Sequence, residues 1–224
     1  MNLSFRSSST PVPEKPIQVI LASQSIGRKL LLDKFGVIFR TAVTNMDEES
    51  IQDKDPIKMI ARRAAAKADE LIKNPRVYMV PQEDKALIIA ADSMAILGKK
   101  TYGKSHEKDV TRQMLKELMG KTHTFVTATK IVYLVAGKAE KIWTATTSTK
   151  VTFRKMTAPE LELYVTRYDF SRFAAAYSIN EMPWDLVTKI DGSYTNVIGL
   201  PFEVILPIFK SLKIIGPQDP PVVA

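Results

Sequence analysis

The chain has 224 residues, 45% of them hydrophobic, which is enough to bury the core of one α/β domain or of two lobes of one. It contains no cysteine, which excludes disulfides, thiolate nucleophiles and cysteine-ligated zinc, and its two histidines argue against a histidine-rich metal site. The formal net charge of +8 is compatible with nucleic-acid binding, but basic residues alternate with acidic ones along the expected helices, as on solvated faces or in a protein that handles small anions.

Neither end of the chain is expected to belong to the domain. Residues 1–16 are polar and proline-containing without an apolar signal core, so we expect a disordered tail, although Arg6 and the serines are also compatible with an organellar address. Residues 214–224 are expected to form a second tail, which leaves 17–213 as a single domain. No run approaches the roughly 20 apolar residues of a membrane helix, and the absence of cysteine fits a reducing, cytoplasmic compartment.

The first half of the chain alternates between predicted strands and helices. A strand is predicted at 17–22, a helix at 25–35, and a second strand at "VIFRTAV". A long amphipathic helix at 56–72 then leads into "ALIIAAD", a continuous apolar run that is typical of a buried strand.

Two hairpins are predicted in the middle of the chain. "SMAILGKKTYGK" is predicted to turn at Gly98 and Lys99. After a helix at "EKDVTRQMLKELMG", ended by its glycine, two β-rich segments flank the turn "AGKAE" and form the second hairpin.

The remaining elements complete a mixed α/β pattern. Thr157 and Glu160 have the spacing of a capping box and predict the start of another helix. "DLVTKIDGSYTNVIGLP" predicts strand, turn and strand, and Pro201 begins a last helix that Pro207 is expected to kink or shorten. Helices packed on a mixed sheet form the class of fold that binds ligands at strand ends and in clefts.

The stretch "LASQSIGRKLLLDKFG" joins the first strand to the first helix through a small turn that contains serines. A helix N-terminus presents unpaired N–H groups and a partial positive charge, so such a turn can cradle a phosphate. The same local sequence also describes an ordinary strand joined to a capped helix, and only the rest of the chain can decide between the two.

A few polar residues stand out chemically. Asp92 is predicted at the exit of the buried strand with Ser93 beside it, where it would bind Mg²⁺ or take a proton from water, or simply cap a turn. The acids at 47–49 would supply the other half of a metal site, or form a solvated turn. Lys67 stands among alanines that are small enough to let it reach inward, unless it is an exposed helix lysine. Lys104 lies in a turn, where it would neutralise phosphate charge.

Seven segments match, in order, the motifs of one protein family. They are "LASQSIGRKLLL", "AADSMAIL", "YGKS", "MLKELMGKTH", "VTFRKMTAPELELYV", "AAAYSIN" and "DGSYTNVIGLP". On these segments the chain resembles the Maf-like nucleotide pyrophosphatases, also called septum formation inhibitors, from Ile17 to Leu212.

The resemblance implies an elongated α/β fold of the inosine triphosphatase type, with a mixed sheet, flanking helices, two lobes around a central cleft, and a homodimer. It implies hydrolysis of nucleoside triphosphates between the α and β phosphates, with Mg²⁺ or Mn²⁺, to give the monophosphate and pyrophosphate. We therefore expect an enzyme that removes modified or surplus nucleotides, with a nucleoside triphosphate as its partner and neither a membrane nor nucleic acid.

The family's functional positions are expected at matching residues of this chain. Asp92 matches the proposed catalytic acid, which would activate the attacking water or hold the metal that does so, and Glu48 matches the conserved acid of a D-E pair, expected to be its partner as a metal ligand. Lys67 and Lys104 match two lysines that screen the phosphates and are counted with Asp92 as catalytic. The residues expected to bind substrate are Ser23, Ser25, Arg28, Ser93 and Asn180.

Three positions depart from the branch of the family that prefers thymidine and uridine nucleotides. That branch has arginine where this chain has Gly27, threonine at Ser93 and glutamine at Asn180. A second branch, acting on 7-methyl-GTP and other triphosphates, has glutamine and glutamate at the last two positions, so the chain fits neither pattern. The shorter polar reach of Ser93 and Asn180 predicts a larger base pocket.

Two other functions remain compatible with the sequence. The changes at Gly27 and Asn180 would suit a catalytically weakened regulator of cell division that binds nucleotide without releasing pyrophosphate. The basic charge would suit a nucleic-acid-binding protein, whose binding would depend strongly on salt, although no recognisable RNA- or DNA-binding motif is present. Retention of the two matched acids and two matched lysines favours an active enzyme over both.

Overall fold

The computed structural model describes residues 15–181 and 185–215, which form seven strands and six α-helices. The strands are β1 (Gln18–Ala22), β2 (Phe39–Thr41), β3 (Lys85–Leu97), β4 (Lys100–Tyr102), β5 (Thr122–Val135), β6 (Lys138–Phe153) and β7 (Val187–Asp191). The helices are α1 (Ile26–Lys34), α2 (Pro56–Lys73), α3 (Lys108–Leu118), α4 (Ala158–Arg167), α5 (Tyr194–Ile198) and α6 (Phe202–Ser211), and a short 3-10 turn spans Ala174–Ala176.

The described strands form a single mixed sheet in the order β2-β1-β3-β5-β6-β7, with β4 paired to β3. β1 runs parallel to β2 and β3, and the other pairs are antiparallel. The β5–β6 hairpin extends along the whole sheet, since the 14 residues of β5 span about 45 Å. The expected α/β fold with a mixed sheet and flanking helices is confirmed.

Strand β3 lacks a neighbour along part of one edge. Its parallel pairing with β1 ends at Ala90, and β4 pairs on this edge only from Ala95. Asp92 and Ser93 lie in this gap. We expected Asp92 at the exit of a strand, and this was wrong, because pairing with β5 carries β3 on to Ile96 and pairing with β4 carries it to Leu97. What ends beside Asp92 is the parallel part of the sheet.

The hydrophobic residues form a lobe at each end of the sheet. In the first lobe, α1 and α6 cover one face of β1 and β3, and α2 covers the other, because alternate strand residues such as Leu87 and Ile88 point to opposite faces. In the second lobe, α3, α4 and the 3-10 turn pack on the far ends of β3, β5 and β6, around Phe125 and Phe153. Two lobes with a cleft between them agree with the expected architecture.

Local signals placed most elements correctly and one incorrectly. The capping box is present, with the Thr157 and Glu160 side chains each bonded to the backbone N–H of the other residue. Pro207 lies inside α6 without ending it. The second strand predicted in "DLVTKIDGSYTNVIGLP" is wrong: the Ser193 hydroxyl accepts a hydrogen bond from the Asn196 N–H and caps the short helix α5.

The predicted tails are described only at their inner ends. Lys15 Nζ donates to Asp84 at 2.9 Å, and Ile214 and Ile215 pack against the first lobe. Residues 1–14 and 216–224 lie outside the described residues, so the boundaries 1–16, 17–213 and 214–224 stay a prediction. Within the described ranges, no helix has both the length and the apolar character needed to cross a membrane.

His123 is buried in the second lobe, between the rings of Phe153 and Tyr177, and its Nε2 lies 3.1 Å from the Tyr177 hydroxyl. Burial lowers its pKa from 6.5 to about 4. Above pH 6.5 the ring is neutral in both folded and unfolded chains. As the pH falls below 6.5, the imidazole is protonated in the unfolded chain but stays neutral in the folded chain until about pH 4. The free energy of unfolding therefore decreases over this range.

We expect the free energy of unfolding to fall by about 2 kcal/mol from this residue between pH 7 and pH 5. Urea denaturation of the wild type and of His123→Gln at both pH values measures this contribution, which the variant should lack. His106→Gln is the control, because His106 is exposed. An equal pH dependence in the wild type and His123→Gln would contradict the prediction.

Candidate active site

A cavity of about 190 Å³ lies between the two lobes, beside the gap in the pairing of β3. Among its described lining residues are four cationic and two carboxylate side chains, a formal net charge of +2. These are Arg28, Lys67, Lys104, Arg172, Glu48 and Asp92. Its apolar lining includes Phe125, Phe173, Ala174, Tyr177 and Val197. A cavity with a net positive charge and one apolar wall suits an anion that carries a flat, apolar group.

The structure brings most of the predicted site residues together in this cavity. The predicted residues among its described lining are Ser23, Ser25, Arg28, Glu48, Lys67, Asp92, Ser93 and Lys104. Asn180 is not among them, and its side-chain oxygen accepts a hydrogen bond of 2.7 Å from Ser178. Its predicted contact with substrate therefore stays a prediction without support from the cavity.

Lys67 binds both predicted metal ligands. Its Nζ lies 2.6 Å from Glu48 Oε2 and 3.0 Å from Asp92 Oδ1, and 3.4 Å from the carbonyl oxygen of Ala91. Lys67 is 6% exposed, because neighbouring residues such as Ala64 let α2 pack close to the sheet. The ammonium therefore fixes the position of both carboxylates, and the inward-reaching interpretation of Lys67 is the one the structure supports.

Of the three acids at 47–49, Asp47 stabilises a turn and Glu48 lines the cavity. Asp47 Oδ1 accepts hydrogen bonds from the backbone N–H groups of Glu49 and Ser50, which closes a turn. This turn directs Glu48 towards Lys67, although the Glu48 side chain keeps 40% of its surface exposed. Only one of the three acids therefore lines the cavity.

Arg28 lines the cavity, but most of its N–H groups already donate hydrogen bonds to protein oxygens. Its guanidinium donates to the carbonyl oxygens of Gly199 at 2.7 Å and Ala91 at 2.9 Å. It also donates to the hydroxyls of Ser23 at 3.0 Å and Ser93 at 2.9 Å. These bonds use all but one of its N–H groups, so Arg28 contributes charge more than it offers donors. Desolvation lowers its pKa, against the opposing effect of Asp92 and Glu48.

The serine turn has the geometry of a capped helix that faces the cavity. Ser25 caps α1 by accepting from the Arg28 N–H at 3.4 Å, and Ser23 accepts from the Ser25 N–H at 3.1 Å. Since Ser23, Gln24 and Ser25 line the cavity, the positive end of the α1 dipole points there. The structure confirms the ordinary cap, and because the turn also faces the cavity, its binding of a phosphate stays a prediction.

The Ser93 hydroxyl belongs to a chain of hydrogen bonds between the lobes. Thr127 Oγ1 lies 2.9 Å from Ser93 Oγ and donates to the carbonyl oxygen of Asn196 at 3.1 Å. Because a hydroxyl has a single hydrogen, Ser93 donates to Thr127 and accepts from Arg28. Ser93 therefore holds Arg28 in place and has no hydrogen left for a ligand.

Gly27 allows α1 to touch the last residue of α5. A Cβ atom at this position would lie 2.9 Å from both the Cγ2 atom and the carbonyl oxygen of Ile198. The position at which this chain has glycine in place of arginine is therefore one where a close contact leaves no room for a side chain. We expect Gly27→Ala to lower the free energy of unfolding by about 1–3 kcal/mol, despite the better helix propensity of alanine.

Thermal or urea denaturation of Gly27→Ala checks this cost. Gly103→Ala is the matched control, because a Cβ there would meet nothing within 4 Å. Equal stability of the two variants would contradict the close contact.

Lys104 reaches the cavity from the second lobe, in the loop after β4. Although the residue as a whole is exposed, desolvation of its ammonium lowers its pKa. The nearby charges of Arg28 and Lys67 lower it further, and Glu48 and Asp92 act in the opposite direction. A bound anion would relieve this repulsion, so the cavity favours anionic ligands.

The carboxylates fit a divalent cation only with help from a ligand. Over the described ranges, no group of three or more His, Cys, Asp or Glu side chains is placed to hold a metal ion. Glu48 and Asp92, however, already share one cation, the Lys67 ammonium. Since Mg²⁺ is commonly held by one or two carboxylates together with phosphate oxygens and water, these two residues fit such an ion in the presence of a phosphate ligand.

Sequence reasoning missed the second-lobe wall of the cavity. Arg172, Phe173, Ala174 and Tyr177 line it, next to or within the segment "AAAYSIN". That segment was matched as a motif, but only Asn180 was selected from it. The adjacent arginine and phenylalanine before three alanines were the available signal.

Comparison with known proteins gives consistent matches over most of the chain. A model of the Maf-like protein family matches residues 18–212. The dTTP/UTP pyrophosphatase of Treponema denticola is 34% identical over 205 residues, covering 88% of this chain and 97% of that protein. That of Pyrococcus furiosus is 34% identical over 194 residues, covering 86% and 94%. The alignment with a solved Mycobacterium abscessus nucleoside-triphosphatase / dITP/XTP pyrophosphatase covers 90% of this chain and 100% of that protein, at a TM-score of 0.38 and 9% identity.

Proposed function

The chain belongs to the Maf-like protein family, and from that premise we propose that it is a nucleoside triphosphate pyrophosphatase dependent on Mg²⁺ or Mn²⁺. The observation that carries the proposal is the contact of Lys67 with both Glu48 and Asp92 in a cavity of net positive charge. Such a cavity can hold a polyphosphate and place a carboxylate beside it.

The proposed reaction is attack of water on the α-phosphorus. The water oxygen bonds to that phosphorus, the bond to the oxygen bridging to the β-phosphorus breaks, and pyrophosphate leaves with the bridging oxygen. Asp92 accepts the proton from water through the carboxylate oxygen that Lys67 does not bind. Lys67 keeps this carboxylate in position. Because water attacks the phosphorus directly, the scheme has no covalent intermediate with the protein.

The phosphate chain is proposed to lie against the N-terminus of α1. Ser23 and Ser25 place that N-terminus at the cavity, and Lys104 screens the phosphate charge from the opposite lobe. Arg28 adds a buried positive charge beneath them. Glu48 and Asp92 would hold the divalent cation, which, when bound, neutralises charge on the phosphate oxygens.

The base is proposed to lie against the apolar wall, near Phe125, Tyr177 and Val197. These side chains provide packing and few hydrogen bonds that would read a base edge. Ser93 is committed to Arg28 and Thr127. This supports a broad substrate range that includes modified nucleotides and a role in removing them. Because relatives are named dTTP/UTP pyrophosphatases, dTTP and UTP are the reference substrates.

Pyrophosphate release from a panel of nucleoside triphosphates tests the proposal. The panel contains dTTP, UTP, the other common nucleotides and methylated ones, each with Mg²⁺, with Mn²⁺ and with a chelator. We expect turnover with metal on several members and none with chelator. Strict preference for dTTP and UTP would contradict the broad range. A folded protein that binds nucleotides without turnover would favour the regulatory alternative.

Two further proposals concern the compartment in which the enzyme acts and its oligomeric state. The absence of cysteine fits a reducing compartment, so we propose that the enzyme acts in the cytoplasm. The homodimer is proposed from the family resemblance. Cell fractionation and light scattering of the purified protein check the two statements separately, and a monomer at micromolar concentration would contradict the second.

A further inference from the structure

Two arginines line the cavity, and they differ in what they offer a ligand. Arg28 is 7% exposed and uses all but one of its N–H groups on the protein. Arg172 is exposed and forms no hydrogen bond or ion pair with any residue in the described ranges. Arg172, a residue that the sequence motifs did not select, therefore has all of its N–H groups available to a ligand, whereas Arg28 has one.

The backbone that carries Arg172 is firmly held. The Phe173 N–H donates to the carbonyl oxygen of Phe170, and the Ala175 N–H donates to that of Gly103, both at 2.9 Å. Ala175 is fully buried. Since Gly103 directly precedes Lys104, this bond joins the two loops that bring cations to the second-lobe wall. Arg172 and Lys104 thus form a pair on one wall.

The side chain of Arg172 is also partly ordered before any ligand binds. Its guanidinium carbon lies 5.8 Å from the centre of the Phe173 ring, within the range of a cation–π contact. This contact limits the rotamers of a long side chain and lowers the entropy lost when it binds. A planar guanidinium can donate to two phosphate oxygens at once, whereas a lysine acts as a point charge.

We propose that Arg172 is a substrate-binding residue whose guanidinium binds the phosphate oxygens of the triphosphate from the second lobe, opposite Lys67 and Asp92. This inference rests on the proposed function for the identity of the substrate. A phosphate ligand is favoured over the base because the lining already carries the cations Lys104 and Arg28, whose charges a polyphosphate would balance. Recognition of the base by Arg172 is the competing outcome of the test.

Binding of inorganic triphosphate, measured by calorimetry on the full chain, tests the proposal without requiring turnover. Hydrogen bonds to charged groups contribute enough that Arg172→Ala should weaken binding about tenfold to a hundredfold. Arg172→Lys should recover part of the affinity, because it restores the charge without the second donor. Arg167→Ala is the matched control: it removes the same charge from an exposed site in the same lobe, outside the cavity lining, and should leave binding unchanged.

The outcomes separate this inference from the proposed function. Equal affinity of Arg172→Ala and the wild type for inorganic triphosphate would overturn the assignment, as would no binding by the wild type. Weaker binding of nucleotides alone would assign Arg172 to the nucleoside instead and also overturn it. Weaker triphosphate binding in a protein that releases no pyrophosphate from any nucleotide would uphold the anion site while the proposed function fails.

Discussion

Asp92→Asn is expected to lower the rate of pyrophosphate release by about two to four orders of magnitude while nucleotide binding persists. The amide keeps an oxygen for the hydrogen bond from Lys67, which is 3.0 Å long in the native protein. It cannot take a proton from water and is a poorer ligand for a divalent cation. Steady-state kinetics with the best substrate of the panel, together with nucleotide binding by calorimetry, measures both quantities.

Asp69→Asn is the matched control for this loss. Asp69 lies on α2 outside the cavity lining and pairs with Lys130 at 2.6 Å, so its loss removes the same charge without touching the site. We expect this control to keep its turnover. If Asp92→Asn also kept its turnover, the proposed role of Asp92 as proton acceptor and metal ligand would be wrong.

Lys67→Met is expected to reduce both activity and stability. It removes the cation that holds Glu48 and Asp92, and leaves two neighbouring carboxylates without a partner. Removing one member of a buried ion pair costs about 3–5 kcal/mol, but water reaches the 40% exposed Glu48, so we expect about 2–3 kcal/mol here. Urea denaturation measures the loss of stability, and pyrophosphate release measures the loss of activity.

Excess divalent cation provides a further test of Lys67→Met. If the two carboxylates form the metal site, Mg²⁺ or Mn²⁺ should restore part of the variant's stability by taking the place of the ammonium. Lys58→Met is the control on the same helix, because Lys58 is exposed and should be insensitive to metal. If the Lys67→Met protein were as stable and active as the wild type, the contact of Lys67 with Glu48 and Asp92 would have no functional importance.

The sequence by itself determined most of the fold. Helix caps such as Ser25 and the Thr157 capping box act over three residues, and strand patterns over five or six, so a local pattern carries their physical cause. The wrong strand at α5 shows the limit of this reasoning. The segment is rich in residues that also suit strands. It forms a helix because Ser193 caps its N-terminus and because the Asn196 side chain donates hydrogen bonds to β5 and β6.

The sequence also selected eight residues that meet in one cavity, but not what each is free to do. Arg28 was expected to bind substrate, but four of its N–H groups donate to protein oxygens, among them the carbonyl oxygen of Gly199, which is 171 residues away. Arg172 was not selected at all: the sequence marks it only as an arginine next to a matched motif, and that its donors are unused follows from the tertiary arrangement.

Only the tertiary structure could decide these points. The site forms where β1 stops pairing with β3, so the carbonyl oxygen of Ala91 is left to Arg28 and Lys67. Which donors and acceptors are consumed there depends on residues brought together from distant parts of the chain. The sequence determined which chemical groups the protein has, and the packing of the two lobes determined which of them remain available to a ligand.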